Sequence, residues 1–543
     1  MKKYFKIALA SLLLMVFAGC GDFLDINDDP NSPTSARVTQ LLPAIEERLA
    51  NALGMTGLSS TASFLMQYNV TRGNLNDYVI AANTGAGTWN SLYQDCLTDI
   101  REMIKVAEPQ GYTAYVGVGK ILQGFIFSVL VDYWGDVPFS EANLGSANPT
   151  PKFDTDSDVY DAAIALIDAG LAELDKPVTF AIRADDKIYA GDLVKWRRFA
   201  NTVKLKMYNQ MRLDRNVSTQ VNALIGPDPA AATNLIINIA DDFQLAYGTN
   251  TNPDNRNPAY PTQYAPGTKT SPNPYFWEVL RGVDTFGHGG NIFSVEDPRI
   301  PYYVYKQLGP SEAAQNPTAY RDGGFVSIFS FSFNIDPNEG FDQSASASVM
   351  GLYPIGGRYD NNALNATGGA TKANNNGYAI TPQRILTAFQ TDFIIAELRH
   401  AGVYTLGSST TAGLLQSAVT KAFAKVNQVA AAASAPLITN AARDTYIASV
   451  MDEFNNGTRG ATPLQVIMTQ KWIASYGYAV DAFTDFRRTG FPILHDGNTD
   501  NRATTVRTRD YVVSLVYPDN ELFLNPTAPE QRNPYLNKVF WHK

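Results

Sequence analysis

Cysteine is nearly absent from this 543-residue chain: only Cys20 and Cys96 occur. That excludes a disulfide-stapled fold and a cysteine-built zinc centre. Histidine is scarce too. His288, His400, His495 and His542 are the whole complement, with no His-Glu-x-x-His among them, so no metal site is expected. Basic residues are few, 43 against 52 acidic, for a formal charge of −9. No run of Lys or Arg is dense enough to grip phosphates, which argues against a nucleic-acid partner. After the first 19 residues no uncharged apolar run reaches the roughly 20 residues that span a bilayer. Nucleotide and calcium loops are missing as well. Gly117-Val118-Gly119-Lys120 has Ala114 where a phosphate loop needs its first Gly, and Ile121 where it needs Ser or Thr. Asp154 to Asp158 begins like a calcium loop, but Val159 and Ala165 replace the required Gly and Glu. There is no Gly-x-Ser-x-Gly elbow for a serine nucleophile. No cofactor is expected.

What the chain does have starts at its first residues. Lys2, Lys3 and Lys6 precede the apolar run Ile7 to Ala18, which ends in Phe17-Ala18-Gly19-Cys20. Residues 1–19 therefore read as a lipoprotein signal peptide and Cys20 as the lipidated residue. Several acyl chains on one residue, at about 0.8 kcal/mol per buried CH₂, make a stable anchor. Removing the three leader lysines takes the charge from −9 to −12. Residues 20–35, acidic and rich in turn formers, read as a flexible tether. With Cys20 acylated no internal disulfide remains, and Cys96, set in an apolar helical pattern, reads as a buried inert thiol.

Helical periodicity dominates the rest. Thr34 or Ser35 is expected to cap a helix with Val38, Leu41, Leu42, Ile45 and Leu49 on one face. Trp89 to Val106 follows, and then Tyr112 to Trp134, apolar nearly all round and so a buried central helix. Ser157 or Asp158 is expected to cap Val159 to Leu174, and Asp192 opens Leu193 to Leu213. Thr381 to His400, Ala412 to Ala432, Asp444 to Phe454 and Pro463 to Phe486 complete the set. Stacked helical hairpins are the expected architecture, although no 34-residue repeat is visible. From about 250 to 376 the texture changes to Asn/Pro/Gly-rich loops with short strand-like pieces such as Phe325 to Phe333. Residues 36–543 read as one helical domain carrying this insertion. Rigid scaffolds present binding groups on loops, which makes the insertion the first place to look for ligand contacts.

A paired-carboxylate glycosidase remains open on residue type, with Asp132, Asp136 and Glu141, or Asp481 and Asp485, as its candidates. Asp481 and Asp485 lie one helical turn apart beside Arg487 and Arg488, where structural ion pairs are the simpler expectation.

An ordered set of segments resembles the SusD/RagB family, in its SusD-like 2 branch. The set comprises Val131-Asp132-Tyr133-Trp134-Gly135-Asp136-Val137-Pro138-Phe139-Ser140-Glu141-Ala142, Lys195-Trp196 to Phe199-Ala200-Asn201, and Glu296-Asp297-Pro298-Arg299-Ile300-Pro301. It continues with Ile467 to Ala474, Phe486-Arg487-Arg488-Thr489-Gly490-Phe491-Pro492, and Val516-Tyr517-Pro518-Asp519-Asn520-Glu521. The resemblance implies a mainly α fold with tetratricopeptide-like helix pairs, long loops and a few short β-strands. It also implies a non-catalytic, surface-exposed lipoprotein of the outer membrane. Such a protein captures an oligosaccharide or peptide and delivers it to a SusC-like TonB-dependent outer-membrane barrel. A surface glycoside hydrolase and a purely structural subunit of an outer-membrane complex are the alternatives.

Sugars stack their C–H faces on aromatic rings and give their hydroxyls to amides and arginines. Trp134, Trp196 and Trp472 fall in helical motifs and read as core; Trp541, at the far end, is uninformative. Trp277, with Tyr275 beside it, follows a Pro/Asn-rich loop and is the first candidate for ligand contact. Tyr68, Arg72, Asn74 and Tyr78 interleave aromatics with polar groups. Trp89, Tyr320, Arg321 and Phe325 complete the candidates.

Overall fold

A computed structural model describes residues 36–542 except 71–77, 249, 251, 260–269, 286–290, 317, 319, 331–345, 351–379, 434 and 497–509. Cys20, the tether, Thr34, Ser35, Arg72 and Asn74 lie outside the described residues. Sixteen α-helices are present among those described: α1 Val38–Leu53, α2 Leu58–Leu65, α3 Ala86–Asn90, α4 Thr98–Ala107, α5 Thr113–Trp134, α6 Asp156–Leu174, α7 Leu193–Met211, α8 Ser218–Ile225, α9 Pro274–Arg281, α10 Ile300–Tyr303, α11 Ala388–His400, α12 Thr411–Ala432, α13 Asn440–Asn456, α14 Pro463–Ala474, α15 Val480–Thr489 and α16 Asp519–Leu524. A π-helix, Ser91–Leu97, joins α3 to α4. Strands are short: β1 Asn69–Val70, β2 Val137–Pro138, β3 Phe153–Asp154, β4 Phe243–Leu245, β5 Ser271–Pro272, β6 Val304–Tyr305, β7 Tyr320–Asp322, β8 Phe325–Ser327, β9 Val349–Met350 and β10 Gln383–Leu386. They form five antiparallel pairs, β1–β5, β2–β3, β4–β10, β6–β9 and β7–β8.

Helix α5 is the centre. It is long and apolar enough to cross a bilayer by length and composition, yet 89% of its most apolar window is buried by protein. Its glycines explain why α6 lies so close. A Cβ on Gly117 would meet the Gly170 carbonyl at 2.9 Å, and one on Gly124 would meet the Ala163 carbonyl at 2.5 Å. Position 117 faces 170 and position 124 faces 163, so the two helices run antiparallel. Gly117, part of the stretch compared with a phosphate loop, thus serves the crossing with α6, while Gly119 faces Ile104 and Met103 on α4. Gly124→Val is expected to lower stability by at least about 1–3 kcal/mol, because the obstructing atom is backbone and cannot rotate away. An unchanged urea midpoint would remove the crossing from the account.

Successive helices pack onto this pair: α7 on α6, α11 on α7, α12 on α11, and α13 and α14 on α12. Four boundaries differ from the periodicity. Thr155 caps α6, its hydroxyl accepting from Asp158 N–H, so the helix begins before Ser157. The first residues of Thr381 to His400 form β10 instead, paired with the distant β4, and Thr387 caps the helix that follows. Asn440 rather than Asp444 starts α13, capped by Thr439. Pro463 to Phe486 is two helices, α14 and α15, separated by residues 475–479, where Gly477 takes φ +90°. A Cβ there would lie 2.5 Å from the Arg384 guanidinium, so glycine at 477 supplies the left-handed backbone and leaves room for that side chain. Trp541, uninformative in sequence, is fully buried: its Nε1 donates to Asp132 Oδ1 at 3.0 Å, and Arg487 lies 4.8 Å over its ring.

Charge is built into the core. Glu397 is fully buried and accepts from Arg488 (2.6 and 2.9 Å), Arg212 (2.7 Å) and Asn209 (2.9 Å). Asp485 bridges Arg488 at 2.8 Å and Lys471 at 2.7 Å, and Lys206 pairs with Asp481. Elsewhere Asp186 accepts four bonds, from the backbone of Ile188 (3.0 Å), Tyr189 (2.7 Å) and Gly191 (2.9 Å) and from Trp196 Nε1 (2.8 Å). The neighbouring Glu46 on α1, also fully buried, accepts from Lys187 N–H at 2.7 Å. Burial first, and then the charge of Asp186, push the Glu46 carboxyl up to about 10. Glu46 therefore keeps its proton at neutral pH.

Candidate functional site

The irregular chain converges on one hub. Strand β1 pairs with β5, Asn69 opposite Pro272 and Val70 opposite Ser271. Asn273 then caps α9 by accepting from Tyr275 N–H at 2.8 Å, and its amide donates to Ser330 Oγ at 2.8 Å. Ser327 Oγ donates to the Pro272 carbonyl at 2.7 Å, and Ser348 N–H to the Val326 carbonyl at 2.9 Å. Gln67 and His495 exchange two side chain-to-backbone bonds, each 2.8 Å. Residues 70, 271, 330, 348 and 495 are thereby tied together. Two non-glycine residues here, Gln67 (φ +56°) and Tyr78 (φ +57°), have left-handed backbone. Local bonds hold them there: Gln67 Nε2 donates to Tyr78 Oη at 3.2 Å, and Tyr78 Oη donates to the Leu65 carbonyl at 2.6 Å. Such strain persists only where surroundings over-determine it.

Six of the expected ligand residues lie in or beside this hub as its packed base. Tyr68 stacks on Trp472 at 5.2 Å and meets Phe276 edge-on at 5.1 Å; its hydroxyl donates to the Trp472 carbonyl. Tyr275 donates to the Ile493 carbonyl. Trp277 lies parallel to Phe325 at 4.4 Å, and its Nε1 donates to Asp322 Oδ2 at 2.9 Å. Arg281 and Lys306 sit 5.8 and 5.7 Å from the same ring. Tyr320 donates to Glu278 Oε1 at 3.1 Å. Trp277 is 2% exposed, Tyr320 6% and Phe325 0%, so these rings offer no open face to a sugar. That corrects the expectation of solvent-facing anchors: α9 is buried along Pro274 to Leu280, and each polar tip is spent on a protein partner. Tyr68 and Tyr78 are equally buried. Arg321 is exposed, its guanidinium donating to the carbonyls of Gly323 (2.9 Å), Pro310 and Glu312. Trp89 is elsewhere, a core ring against Trp134 at 5.5 Å and Tyr93 at 4.8 Å. Asn273 and Asp322 were missed. The first had a readable signal, Asn before Pro-Tyr at a helix start.

The carboxylates considered for catalysis have structural partners. Asp132 accepts from Tyr160 (3.2 Å) and Trp541 (3.0 Å), Asp136 from Asp156 N–H (2.9 Å), and Glu141 from Asn148 (2.9 Å) and Lys152 N–H (3.2 Å). Asp481 and Asp485 are held by the buried lysines and Arg488 described above. Cys96 is buried, and desolvation pushes its thiol up to about 12, the opposite of nucleophile activation. No cluster of three or more His, Cys, Asp or Glu suited to a metal ion occurs among the described residues.

Among solved structures, the fold is similar to a SusD homologue from Bacteroides fragilis, with TM-score 0.67, 17% identity, and 94% of this chain and 100% of that one covered. A chitin-binding SusD homologue from Flavobacterium johnsoniae matches with TM-score 0.64 and 17% identity, over 92% and 98% of the two chains. A SusD/RagB family protein from Bacteroides thetaiotaomicron matches with TM-score 0.63 and 19% identity, over 93% and 99%. No curated protein matches the sequence. The profile of one family, described as starch-binding and associating with the outer membrane, matches residues 30–511. The family description names starch binding, and the Flavobacterium johnsoniae neighbour is described as chitin-binding. The chain therefore belongs to the SusD-like 2 family.

Proposed function

We propose that this protein is a non-catalytic glycan receptor of the cell surface, anchored through lipid on Cys20. It takes an oligosaccharide at the hub face and delivers it to a SusC-like TonB-dependent barrel. The observation that carries this reading is the convergence on one hub of segments from five separate parts of the chain. A rigid helical scaffold presenting loops on one face is the general design of a binding protein. The family description and the chitin-binding neighbour of the same fold support a carbohydrate as the ligand. Residues 36–543 act in this reading as one domain, and residues 20–35 as the tether.

The soluble form from Gly21 onward, screened on starch, chitin and other glycan arrays and on peptide libraries, is expected to show saturable affinity with no product released. Trp277→Ala is expected to weaken the best ligand by about 1–3 kcal/mol, by collapsing the base beneath the hub. Unchanged affinity would place the site elsewhere. Ligand turnover would replace the receptor reading with a hydrolase. Binding to the barrel without any small ligand would replace it with a structural subunit.

A further inference from the structure

A cavity of about 250 Å³, lined by none of the hub residues named above, lies between α4, α5, α6 and the loop after β2. It is large enough for a single six-membered ring but below the roughly 300–1,000 Å³ usual for a drug-sized ligand. Its rim is built by unusual backbone. The π-helix Ser91–Leu97 ends at Leu97, which lines the cavity. Helix irregularities of this kind recur at functional sites. The Tyr93 carbonyl inside it accepts from the Asn143 amide at 2.7 Å and from Thr98 Oγ1 at 3.0 Å. Asn143 itself is left-handed (φ +57°), and its carbonyl accepts from Arg101 Nη1 at 2.5 Å. One loop residue thus pins the π-turn and aims the arginine.

The walls suit a sugar. Phe139, half-buried, stands edge-on to Phe127 at 4.7 Å and offers an apolar surface, while Gln123 and Arg101 supply donors. The nearby acids are turned to backbone. Asp136 and Glu141 hold the amides already named, and Asp154 accepts from Phe139 N–H (3.2 Å) and Ser140 N–H (2.7 Å). Among the described residues, Arg101 is the only charged one lining the cavity, in a chain of net charge −9. We infer that this cavity is a second carbohydrate site, one that takes a single pyranose ring bearing a carboxylate, a uronic acid. The ring lies on Phe139 and the carboxylate meets Arg101, whose planar fork matches it.

Methyl NMR of the soluble protein, titrated with galacturonate, glucuronate and glucose, tests this. Both uronates are expected to shift the methyls of Leu97, Ala142 and Leu166 saturably, with glucose much weaker. Arg101→Met, at an exposed position, should weaken the uronates by about tenfold or more, the scale of a lost charge-assisted pair. Ala142→Trp, which fills the cavity, should abolish the shifts while leaving the array-selected glycan bound at the hub, so the two sites succeed or fail separately. No saturable shift, equal affinity for glucose, or an unaffected Arg101→Met variant would each overturn the assignment.

Discussion

Glu397→Gln is expected to cost about 3–5 kcal/mol of folding stability, since removing one partner strands the others inside the protein. Arg212 and Arg488 lie against Glu397 at 2.6–2.9 Å; the Glu397 and Arg488 side chains are buried and that of Arg212 is 9% exposed. Burial alone would raise the Glu397 carboxyl. The guanidiniums of Arg488 and Arg212 reverse that and hold it well below the usual carboxylate range. A folded-state pKa below the unfolded one fixes the direction of the pH effect. The stabilisation is complete above about 4.5, the ordinary glutamate value, and drains away as pH falls toward the folded-state value. Urea titrations at pH 7 and pH 3 should show a large wild-type difference that shrinks in the variant. Identical acid limbs for the two proteins would show that this cluster does not govern acid stability.

Glu46→Gln should have the opposite sign. The Glu46 carboxyl sits at about 10 when folded against 4.5 when free, so its contribution is full below about 4.5 and is lost as pH rises toward 10. At neutral pH the folded protein must hold a proton the unfolded chain would release. At about 1.4 kcal/mol per pH unit the penalty near pH 7 is on the order of 3 kcal/mol. Glutamine carries that hydrogen permanently, can donate to Asp186 and still accepts from Lys187 N–H. The variant is expected to melt higher than wild type at pH 8 and together with it at pH 4. A gain that is the same at both pH values would mean that packing, not proton uptake, separates them.

The long helices were legible because their burial follows local periodicity. Helix α5 reads as central from its unbroken apolar surface, and Asp192 marks the start of α7. What failed depends on partners far away in sequence. Gln383 to Leu386 carries a helical pattern but hydrogen-bonds to Phe243–Leu245, some 140 residues earlier by numbering. Between α14 and α15, Gly477 lies against Arg384, which no local window contains. The π-helix leaves apolar spacing nearly intact, so Leu92, Cys96 and Ile100 looked like one ordinary helix. For the candidate ligand residues, residue type did not say which way a ring points. Trp277, Tyr275, Tyr320 and Phe325 do gather at or beside the hub, but with their faces already packed and their polar tips already bonded. Trp89 was chosen by the same reasoning and belongs to another part of the core.

The contact between Trp541 and Asp132 has a consequence for biosynthesis. Asp132 leaves the ribosome 409 residues before the indole that caps its carboxylate. Until residue 541 has been made, the middle of the molecule holds a carboxylate in an apolar setting with one donor missing, and Arg487 lacks the ring beneath it. Completion of the centre therefore waits on a residue made 409 positions after Asp132.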